Sequence, residues 1–325
     1  MLLAGDVGGT KTLLGLFEDA GRRPVKVASR AYSTPSFPNL VVMIEDFKQT
    51  AGAGHAIGAA CFGVAGAVIG NVGHLTNVPW RVEAEQIAET FGIPRVSIVN
   101  DLVAMAQAVP LLEGDELHTL QRGEFRRDGN IAVIAAGTGL GEALLHRVDG
   151  RYVPSPGEGG HADFAPRNER EIVVLRDLTV RFGRASVEHV LSGPGLQNLH
   201  RVTHQHACPA AAGADEPPSP AAISDAALER RCPSCVEALE IFVDVYGAEA
   251  GNLALRSLAT GGVFIGGGIA PKILGALADG RFMRAFVAKP PHVPLLSTMP
   301  VHVIANGDAA LVGAAVCARA LGRTD

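Results

Sequence analysis

The chain opens with two short apolar runs separated by a pair of glycines. Leu2–Val7 and Thr12–Phe17 have the length of strands, and Gly8-Gly9 lies between them. Apolar runs joined through glycines predict a β-hairpin, and the run Val25–Tyr32 predicts a third strand beside it.

Alternating strand and helix patterns follow this hairpin. Ile57–Gly63 and Arg95–Val99 are short apolar runs typical of buried strands. Helices are expected over Leu40–Thr50, Val82–Phe91 and Asp101–Val109. The last of these carries an acid in its first turn, where the helix dipole favours negative charge.

The pattern starts again in the second half of the chain. Ile131–Ala136 and Glu142–Val148 predict strands around a second glycine-rich turn, and Pro110 with the polar stretch Glu113–Arg127 separates the halves. Two halves that each begin in this way indicate an α/β protein with one sheet in each half. The later elements predicted are helices from an Asn168 cap to Phe182, from a Ser234 cap through Leu258, from Pro271 and over Asp308–Leu321, and strands at Gly262–Ile265 and Val301–Ile304.

Composition and charge exclude several classes of protein. Hydrophobic residues make up 47% of the 325 residues, which is ample for a buried core. The net charge of −5 shows no basic bias, so no nucleic-acid partner is expected. Every apolar stretch is interrupted well before about 18 residues, so we expect no membrane-spanning helix. The N-terminal residues lack a basic region, so we expect no signal peptide and a cytoplasmic location.

Five cysteines do not make a disulfide framework in a chain of this length. Cys232 and Cys235 form a C-x-x-C pair, and His204, His206 and Cys208 lie upstream of it. A zinc site is conceivable on these residue types. The second pair, however, has the wrong spacing, and the intervening Pro/Ala-rich residues are loop-like. We therefore expect no zinc site, and a helix that begins with incidental cysteines.

The first glycine turn is a candidate phosphate site. Gly5–Thr12 nearly matches the P-loop pattern, but its sixth position is Thr10 and a strand pattern, not a helix, follows. The P-loop is therefore rejected. Closely spaced glycines can still present backbone N–H groups to an anion, Lys11 can add charge, and Asp6 can hold Mg²⁺ through water. The alternative is an ordinary hairpin turn.

Two later glycine turns have the same potential. Gly137-Thr138-Gly139-Leu140-Gly141 lies between strands, and Gly266-Gly267-Gly268 lies between a strand and a helix start. A helix N-terminus after a glycine turn is a natural position for a nucleotide phosphate. Tight connections between elements explain the same glycines equally well.

Acids and one histidine near strand ends are candidates for chemistry on a substrate. Asn100-Asp101 follows a buried strand, at the kind of sheet edge where α/β proteins bind ligands. Asp101 can accept the proton of an attacking hydroxyl, or it can simply cap a helix. Glu158 and His161 lie in a glycine-rich stretch, and Glu188 precedes Ser192-Gly193. A loop histidine and a surface acid are the alternatives for these.

In their order along the chain, these motifs resemble the bacterial glucokinase family, within the superfamily of actin-like ATPases and sugar kinases. The resemblance covers nearly the whole length. It rests on Gly5-Asp6-Val7-Gly8-Gly9-Thr10, Thr76-Asn77-Val78-Pro79-Trp80, Val99-Asn100-Asp101, Gly137-Thr138-Gly139-Leu140-Gly141, Gly157-Glu158-Gly159-Gly160-His161, Glu188-His189-Val190-Leu191-Ser192-Gly193 and Gly266-Gly267-Gly268-Ile269-Ala270-Pro271.

The resemblance implies two ribonuclease-H-like domains around an interdomain cleft that closes over a sugar. The small domain would comprise residues 1–110 with 305–325, and the large domain residues 111–304. The implied substrates are glucose and ATP, with Mg²⁺, and a homodimer is expected. No cysteine follows His161 closely, unlike in the related zinc-containing group, so the chain resembles the zinc-free branch.

The same resemblance assigns roles to individual residues. Asp101 would be the catalytic base on the sugar 6-hydroxyl. The residues that would hydrogen-bond the sugar are Asn100, Asp101, Glu158, His161 and Glu188. The residues that would bind the nucleotide are Gly5, Asp6, Val7, Gly8, Gly9, Thr10, Gly137, Thr138, Gly139, Gly266, Gly267 and Gly268. Asp6 would also hold Mg²⁺.

Other readings of the same residues stay open. A kinase for fructose, mannose or an amino sugar would use the same polar side chains, and ADP or polyphosphate could replace ATP as the donor. A non-catalytic sugar-sensing regulator on the same fold is the alternative from another class of protein.

Overall fold

The structure is a computed structural model, and it describes residues 1–51, 54–75, 78–204, 208 and 217–322. The chain divides into two compact units. Unit 1 comprises Met1–Gly114, Pro154–Pro156 and Asn306–Asp325, and unit 2 comprises Asp115–Val153 and Gly157–Ala305. Among the helices of these described ranges, none has the length and apolar character needed to cross a membrane.

Unit 1 is built on a five-stranded sheet. The strands of unit 1 as a whole are β1 (Leu2–Val7), β2 (Lys11–Glu18), β3 (Val25–Ser33), β4 (Ala59–Val64), β5 (Gly66–Ile69), β6 (Val72–Leu75), β7 (Arg81–Glu83) and β8 (Val96–Asn100). The main sheet has the order β3-β2-β1-β4-β8, and β5, β6 and β7 form a small separate sheet. The predicted hairpin is confirmed: β1 pairs antiparallel with β2, while β4 runs parallel to β1.

Among the described residues of unit 1, four α-helices accompany the sheet: α1 (Leu40–Thr50), α2 (Ala84–Phe91), α3 (Asp101–Ala108) and, from the end of the chain, α11 (Ala309–Leu321). Apolar side chains from β1, β2, β4 and α1 form one buried cluster. The helices α3 and α11 pack very closely, because a Cβ atom at Gly313 would overlap the carbonyl oxygen of Ala104. This close packing fixes the helix that begins with Asp101.

Unit 2 contains a six-stranded sheet. Its strands are β9 (Leu117–Gln121), β10 (Ile131–Ala136), β11 (Leu140–Val148), β12 (Arg151–Gly157), β13 (Gly262–Gly266) and β14 (Val301–Ile304). Its helices are α4 (Glu169–Phe182), α5 (Gly193–Thr203), α6 (Pro220–Leu228), α7 (Pro233–Ser257), α8 (Leu274–Ala278), α9 (Arg281–Val287) and α10 (Val293–Thr298). The long helix α7 supplies Phe242 and Tyr246 to a second buried cluster, separate from that of unit 1.

The two units share one strand order. The sheet of unit 2 runs β12-β11-β10-β13-β14-β9, so its first five strands repeat the order β3-β2-β1-β4-β8 of unit 1. In unit 1, β1 is antiparallel to β2 and parallel to β4. In unit 2, β10 is likewise antiparallel to β11 and parallel to β13. The duplication is therefore visible in topology, although the sequence shows no repeat strong enough to reveal it.

Several predicted boundaries differ from the structure. Ser234 does not cap the long helix: α7 begins at Pro233 and Cys232 is its N-cap residue. Pro271 is not the first residue of a helix, since α8 begins at Leu274. The helix predicted from Val82 begins at Ala84, because β7 takes the preceding residues. Within the predicted loop 204–222, residues 205–207 and 209–216 lie outside the described residues, as do Thr76 and Asn77 of one motif.

Candidate active site

The turn between β1 and β2 is held in one conformation by hydrogen bonds. The Gly8 N–H donates to the Lys11 carbonyl at 3.1 Å. Thr34 braces the turn from the neighbouring segment: its hydroxyl donates to the Gly8 carbonyl at 2.7 Å, and its N–H donates to the Thr10 carbonyl at 3.0 Å. A strand follows this turn, as predicted, whereas a P-loop would lead into a helix. The turn is thus a braced hairpin turn whose backbone geometry is set before any ligand binds.

Gly5 and Val7, at the start of the same motif, have another explanation. Both lie inside β1, and Val7 is fully buried. A Cβ atom at Gly5 would come within 2.5 Å of the Phe62 ring. These two residues therefore serve the core of unit 1, and the residues of the motif that remain for a ligand are those of the turn itself.

Three carboxylates of unit 1 share one electrostatic environment. Burial, followed by the negative charges of Asp101 and Asp308, raises the pKa of Asp6 to about 7, and Lys11 opposes this shift. These acids come from the end of β1, the start of α3 and the residue before α11. Carboxylates that repel each other are the donor set that a hard divalent cation such as Mg²⁺ neutralises. The chemistry of the cluster therefore fits Mg²⁺.

Asn100 and Asp101 make different hydrogen bonds at the start of α3. The Asn100 side-chain oxygen accepts from the backbone N–H groups of Leu102 at 3.0 Å and Val103 at 3.3 Å, so Asn100 is the helix cap. The Asp101 carboxylate lies one residue further, and one of its oxygens accepts from the Leu102 N–H at 2.8 Å. Capping is thus done by Asn100, which leaves chemistry as an explanation for the acid at position 101.

In unit 2, Glu188 is fixed against the glycine turn between β10 and β11. Its carboxylate accepts from the Leu140 N–H at 2.8 Å, and Ser192 donates its hydroxyl to the Glu188 carbonyl at 2.8 Å. A Cβ atom at Gly139 would lie 2.5 Å from the same carboxylate oxygen. Glu188 is therefore a positioned group rather than a surface acid, and Gly139 is needed to let it approach.

The stretch from Glu158 to His161 forms a turn beside Glu188. The His161 N–H donates to the Glu158 carbonyl at 3.0 Å, and the Glu188 N–H donates to the Gly160 carbonyl at 2.8 Å. Gly160 is buried, whereas Glu158 and His161 are exposed. The structure thus brings together three of the polar residues singled out from the sequence, with the side chains of two of them open to a ligand.

The third glycine turn packs on the end of β10. Gly267 has a φ of +84°, and a Cβ atom there would overlap the Ala136 carbonyl. Gly137 and Gly268 differ, because a Cβ atom at either position would meet nothing within 4 Å. The Gly137 carbonyl accepts from the Gly193 N–H at 2.8 Å, at the start of α5. Open space beside a glycine turn therefore exists at Gly137 and Gly268, and not at Gly267.

Tyr246 links these two turns from inside the core, and sequence reasoning missed it. Its hydroxyl oxygen accepts from the Ala136 N–H at 3.1 Å and lies 3.4 Å from the carbonyls of Ile134 and Gly266. Burial raises the pKa of this phenol, so it stays protonated and can donate. It joins the ends of β10 and β13 immediately before both turns. A tyrosine inside a long helix carries no local signal of this position.

Glu142 is a second residue that sequence reasoning left without a role. It is almost fully buried in β11, and a Cβ atom at Gly159 would overlap its carboxylate. Burial, and then the charge of Glu249, raises its pKa to about 7, while Arg256 opposes the shift. Its Oε1 has no hydrogen-bond partner among the described residues. The signal that could have found it is a single acid among the glycine and apolar residues that begin β11.

Comparisons with known proteins show what the whole chain is similar to. A family model described as Glucokinase matches residues 3–321. The glucokinase of Nostoc sp. is 39% identical over 340 aligned positions, which cover 99% of each chain. Among solved structures, the glucokinase from an Antarctic psychrotroph superposes with a TM-score of 0.86 at 28% identity, covering 98% of both chains.

A more distant structure agrees in fold. The ROK family glucokinase from Streptomyces griseus, solved in complex with glucose and AMPPNP, has a TM-score of 0.68 at 22% identity and covers 98% of this chain and 99% of its own. The α/β class and the actin-like ATPase fold expected from the sequence are confirmed.

Proposed function

Because this chain belongs to the glucokinase family, we propose that it transfers the γ-phosphoryl group of ATP to the 6-hydroxyl of glucose, with Asp101 as the general base. The observation that carries the proposal is the position of Asp101. It lies at the carboxyl end of a parallel strand, beside a separate cap residue and in the same electrostatic environment as Asp6.

Asp101 would accept the proton of the sugar hydroxyl as that oxygen attacks phosphorus. Phosphoryl transfer needs mainly positioning and charge stabilisation, and a general base typically contributes about 10²–10⁴-fold. The bond between the Asp101 carboxylate and the Leu102 N–H orients the base. The closeness of α3 to α11 keeps its backbone fixed.

The nucleotide would be held by glycine turns of the chain. Because the Gly8 N–H is already bonded to the Lys11 carbonyl, the braced turn would offer the backbone N–H groups of Gly9 and Thr10 to the phosphates. Gly137 and Gly268 border open space for the rest of ATP, with Thr138 next to Gly137. Asp6 would hold Mg²⁺ through water, and the ion would neutralise phosphate charge when bound. The proposed roles of Gly5, Val7 and Gly267 in binding ATP are indirect, since each packs against protein.

The residues proposed to recognise the sugar hydroxyls are Asn100, Glu158, His161 and Glu188. The Asn100 amide already donates one hydrogen to the Gly66 carbonyl at 3.3 Å, which leaves its second N–H for a hydroxyl. Carboxylates and an imidazole suit a sugar because each hydroxyl both donates and accepts. A missing or inverted hydroxyl would leave one of these polar groups without its partner in the complex, which disfavours other sugars.

The variant Asp101→Asn tests the base. Asparagine keeps the oxygen that accepts from Leu102 but cannot take a proton, so kcat should fall at least about 100-fold while glucose still binds. The measurement is glucose-dependent ADP release, with glucose affinity from calorimetry as the control for an intact site. An activity within a few-fold of the parent would reject Asp101 as the base.

The finer assignments belong to the same proposal. A panel of glucose, fructose, mannose and glucosamine at fixed ATP ranks the acceptors, and a panel of ATP, ADP and polyphosphate at fixed glucose ranks the donors. We propose a homodimer that works in the cytoplasm and needs Mg²⁺. Sedimentation and the dependence of activity on Mg²⁺ after chelation test the first and last of these.

A further inference from the structure

Cysteine and histidine side chains gather in unit 2, apart from the residues assigned to catalysis. His204 is the C-cap residue of α5, and Cys232 and Cys235 lie at the start of α7. Cys208 joins them from the chain beyond α5. We call His204, Cys208, Cys232 and Cys235 the Cys₃His cluster.

Four separations between ligand atoms of this cluster are close to those of a coordination shell. The Cys208 sulfur lies 4.0 Å from that of Cys232 and 3.7 Å from that of Cys235. The Nε2 atom of His204 lies 3.2 Å from the Cys232 sulfur and 3.8 Å from the Cys235 sulfur. Tetrahedral Zn²⁺ with bonds of about 2.3 Å to sulfur and about 2.0 Å to nitrogen separates its ligand atoms by about 3.5–3.8 Å. The observed separations bracket this range.

The imidazole of His204 is already oriented as a metal ligand. Its Nδ1 lies 2.9 Å from the His200 carbonyl oxygen. Because a carbonyl only accepts, Nδ1 carries the proton and Nε2 presents its lone pair towards the sulfur atoms. A histidine ligand almost always donates its other N–H to a carbonyl or carboxylate in this way.

A second imidazole lies against the first. His200 stacks on His204 with ring centroids 3.7 Å apart. One potential ligand atom from each of His200, His204, Cys208 and Cys235 lies within 4.8 Å of the others. His200 is 8% exposed, and its Nε2 has no hydrogen-bond partner among the described residues. His200 therefore adds a second buried imidazole behind His204 and beside the thiols of Cys208 and Cys235.

We propose that the Cys₃His cluster binds one Zn²⁺ ion as a closed structural site. Thiolate and imidazole donors in a tetrahedral arrangement select zinc over hard cations such as Mg²⁺. With four protein ligands no position remains for a substrate, so the ion ties the end of α5 to the start of α7 and takes no part in phosphoryl transfer. His200 stacks behind the ligand His204 and supports its orientation.

This proposal reverses the expectation from the sequence, where the spacing argued against zinc. The motif His204-x₃-Cys208 followed by Cys232-x₂-Cys235 does contain two short pairs. They appear unrelated in the sequence because α6 lies between them. Only the packing of α5 beside α7 brings the pairs together.

Metal content tests the site directly. The full-length protein is purified without a histidine tag, dialysed and analysed by mass spectrometry of elements, and about one Zn²⁺ per chain is expected. Cys232→Ser and Cys235→Ser should retain less than about a tenth of this zinc, as a closed site needs every ligand. Cys61→Ser and Cys317→Ser remove thiols of unit 1 and should retain all of it.

A second measurement does not depend on folding of a variant. Titration of the parent protein with a thiol-blocking mercurial should release zinc to a chromogenic chelator in step with the cluster thiols. Replacement by Co²⁺ should give the intense visible bands of tetrahedral thiolate coordination. Absence of zinc both as purified and after refolding in reducing buffer with ZnCl₂ would overturn the proposal, and so would a disulfide among these cysteines in the freshly purified protein.

Two further variants distinguish the role of His204 from that of His200. His204→Gln should lose zinc like the cysteine variants, whereas His200→Gln should keep stoichiometric zinc and release it faster to a chelator. The reverse result would contradict His204 as the ligand. Zinc content and release are read without reference to kinase activity, so failure of the proposed function would leave these outcomes unchanged.

Discussion

At the scale of single residues, burial of Glu142 makes stability depend on pH. Its pKa is raised from 4.5 to about 7, so between these values the folded chain holds a proton that the unfolded chain has lost. The free energy of unfolding then falls as the pH rises through this window, and above it the full destabilisation by the buried charge is present. Glu142→Gln removes the charge. The free energy of unfolding of the variant, relative to that of the parent, should therefore increase by about 1–3 kcal/mol between pH 5 and pH 8.

Urea unfolding at both pH values measures this difference. Glu18→Gln is the matched control, because this acid is exposed at the end of β2 and its replacement should change stability equally at the two pH values. A difference for Glu142→Gln that does not grow with pH would show that Arg256 already compensates the buried charge.

At the scale of elements, the three glycine turns differ in what a side chain would meet. Gly268→Val places its side chain in open space, so the variant should fold normally and raise the KM for ATP at least about tenfold by excluding the nucleotide. Gly267→Val must clash with β10 at a φ of +84°, so it should lower the melting temperature and expression as well. Steady-state kinetics with calorimetric melting separates the two effects. An unchanged KM for Gly268→Val would remove this turn from the nucleotide site.

The same elements show how far the sequence can predict the structure. Local patterns were enough for the hairpin, for α1 and for the Asn168 cap, since the Glu171 N–H donates to the Asn168 side chain at 3.0 Å. Roles that depend on distant packing were not predictable. Tyr246 bonds to the backbone of Ala136, which is 110 positions away in the chain. Glu142 lies against Gly159, which is 17 positions away and outside its own strand. The Cys₃His cluster needs α5 and α7 side by side before its spacing can be recognised.

At the scale of the whole molecule, each unit has its own sheet and its own buried cluster, so damage to one core should be felt first in that unit. Gly313→Ala tests this, because even a methyl group there overlaps the Ala104 carbonyl and forces α11 away from α3. We expect a loss of about 1–3 kcal/mol, as for overpacking. Hydrogen exchange should then rise in β1, β4 and α3 and stay unchanged in β10, β13 and α7.

Gly275→Ala is the matched control in unit 2, since its Cβ atom meets nothing within 4 Å. Alanine is the better helix former by roughly 0.5–1 kcal/mol, so this variant should be neutral or more stable. Equal loss of protection in both units after Gly313→Ala would mean that they unfold as one cooperative body. In that case Asp101 would owe its position to the whole chain, and the close packing of α3 on α11 would explain only part of how the proposed base is held.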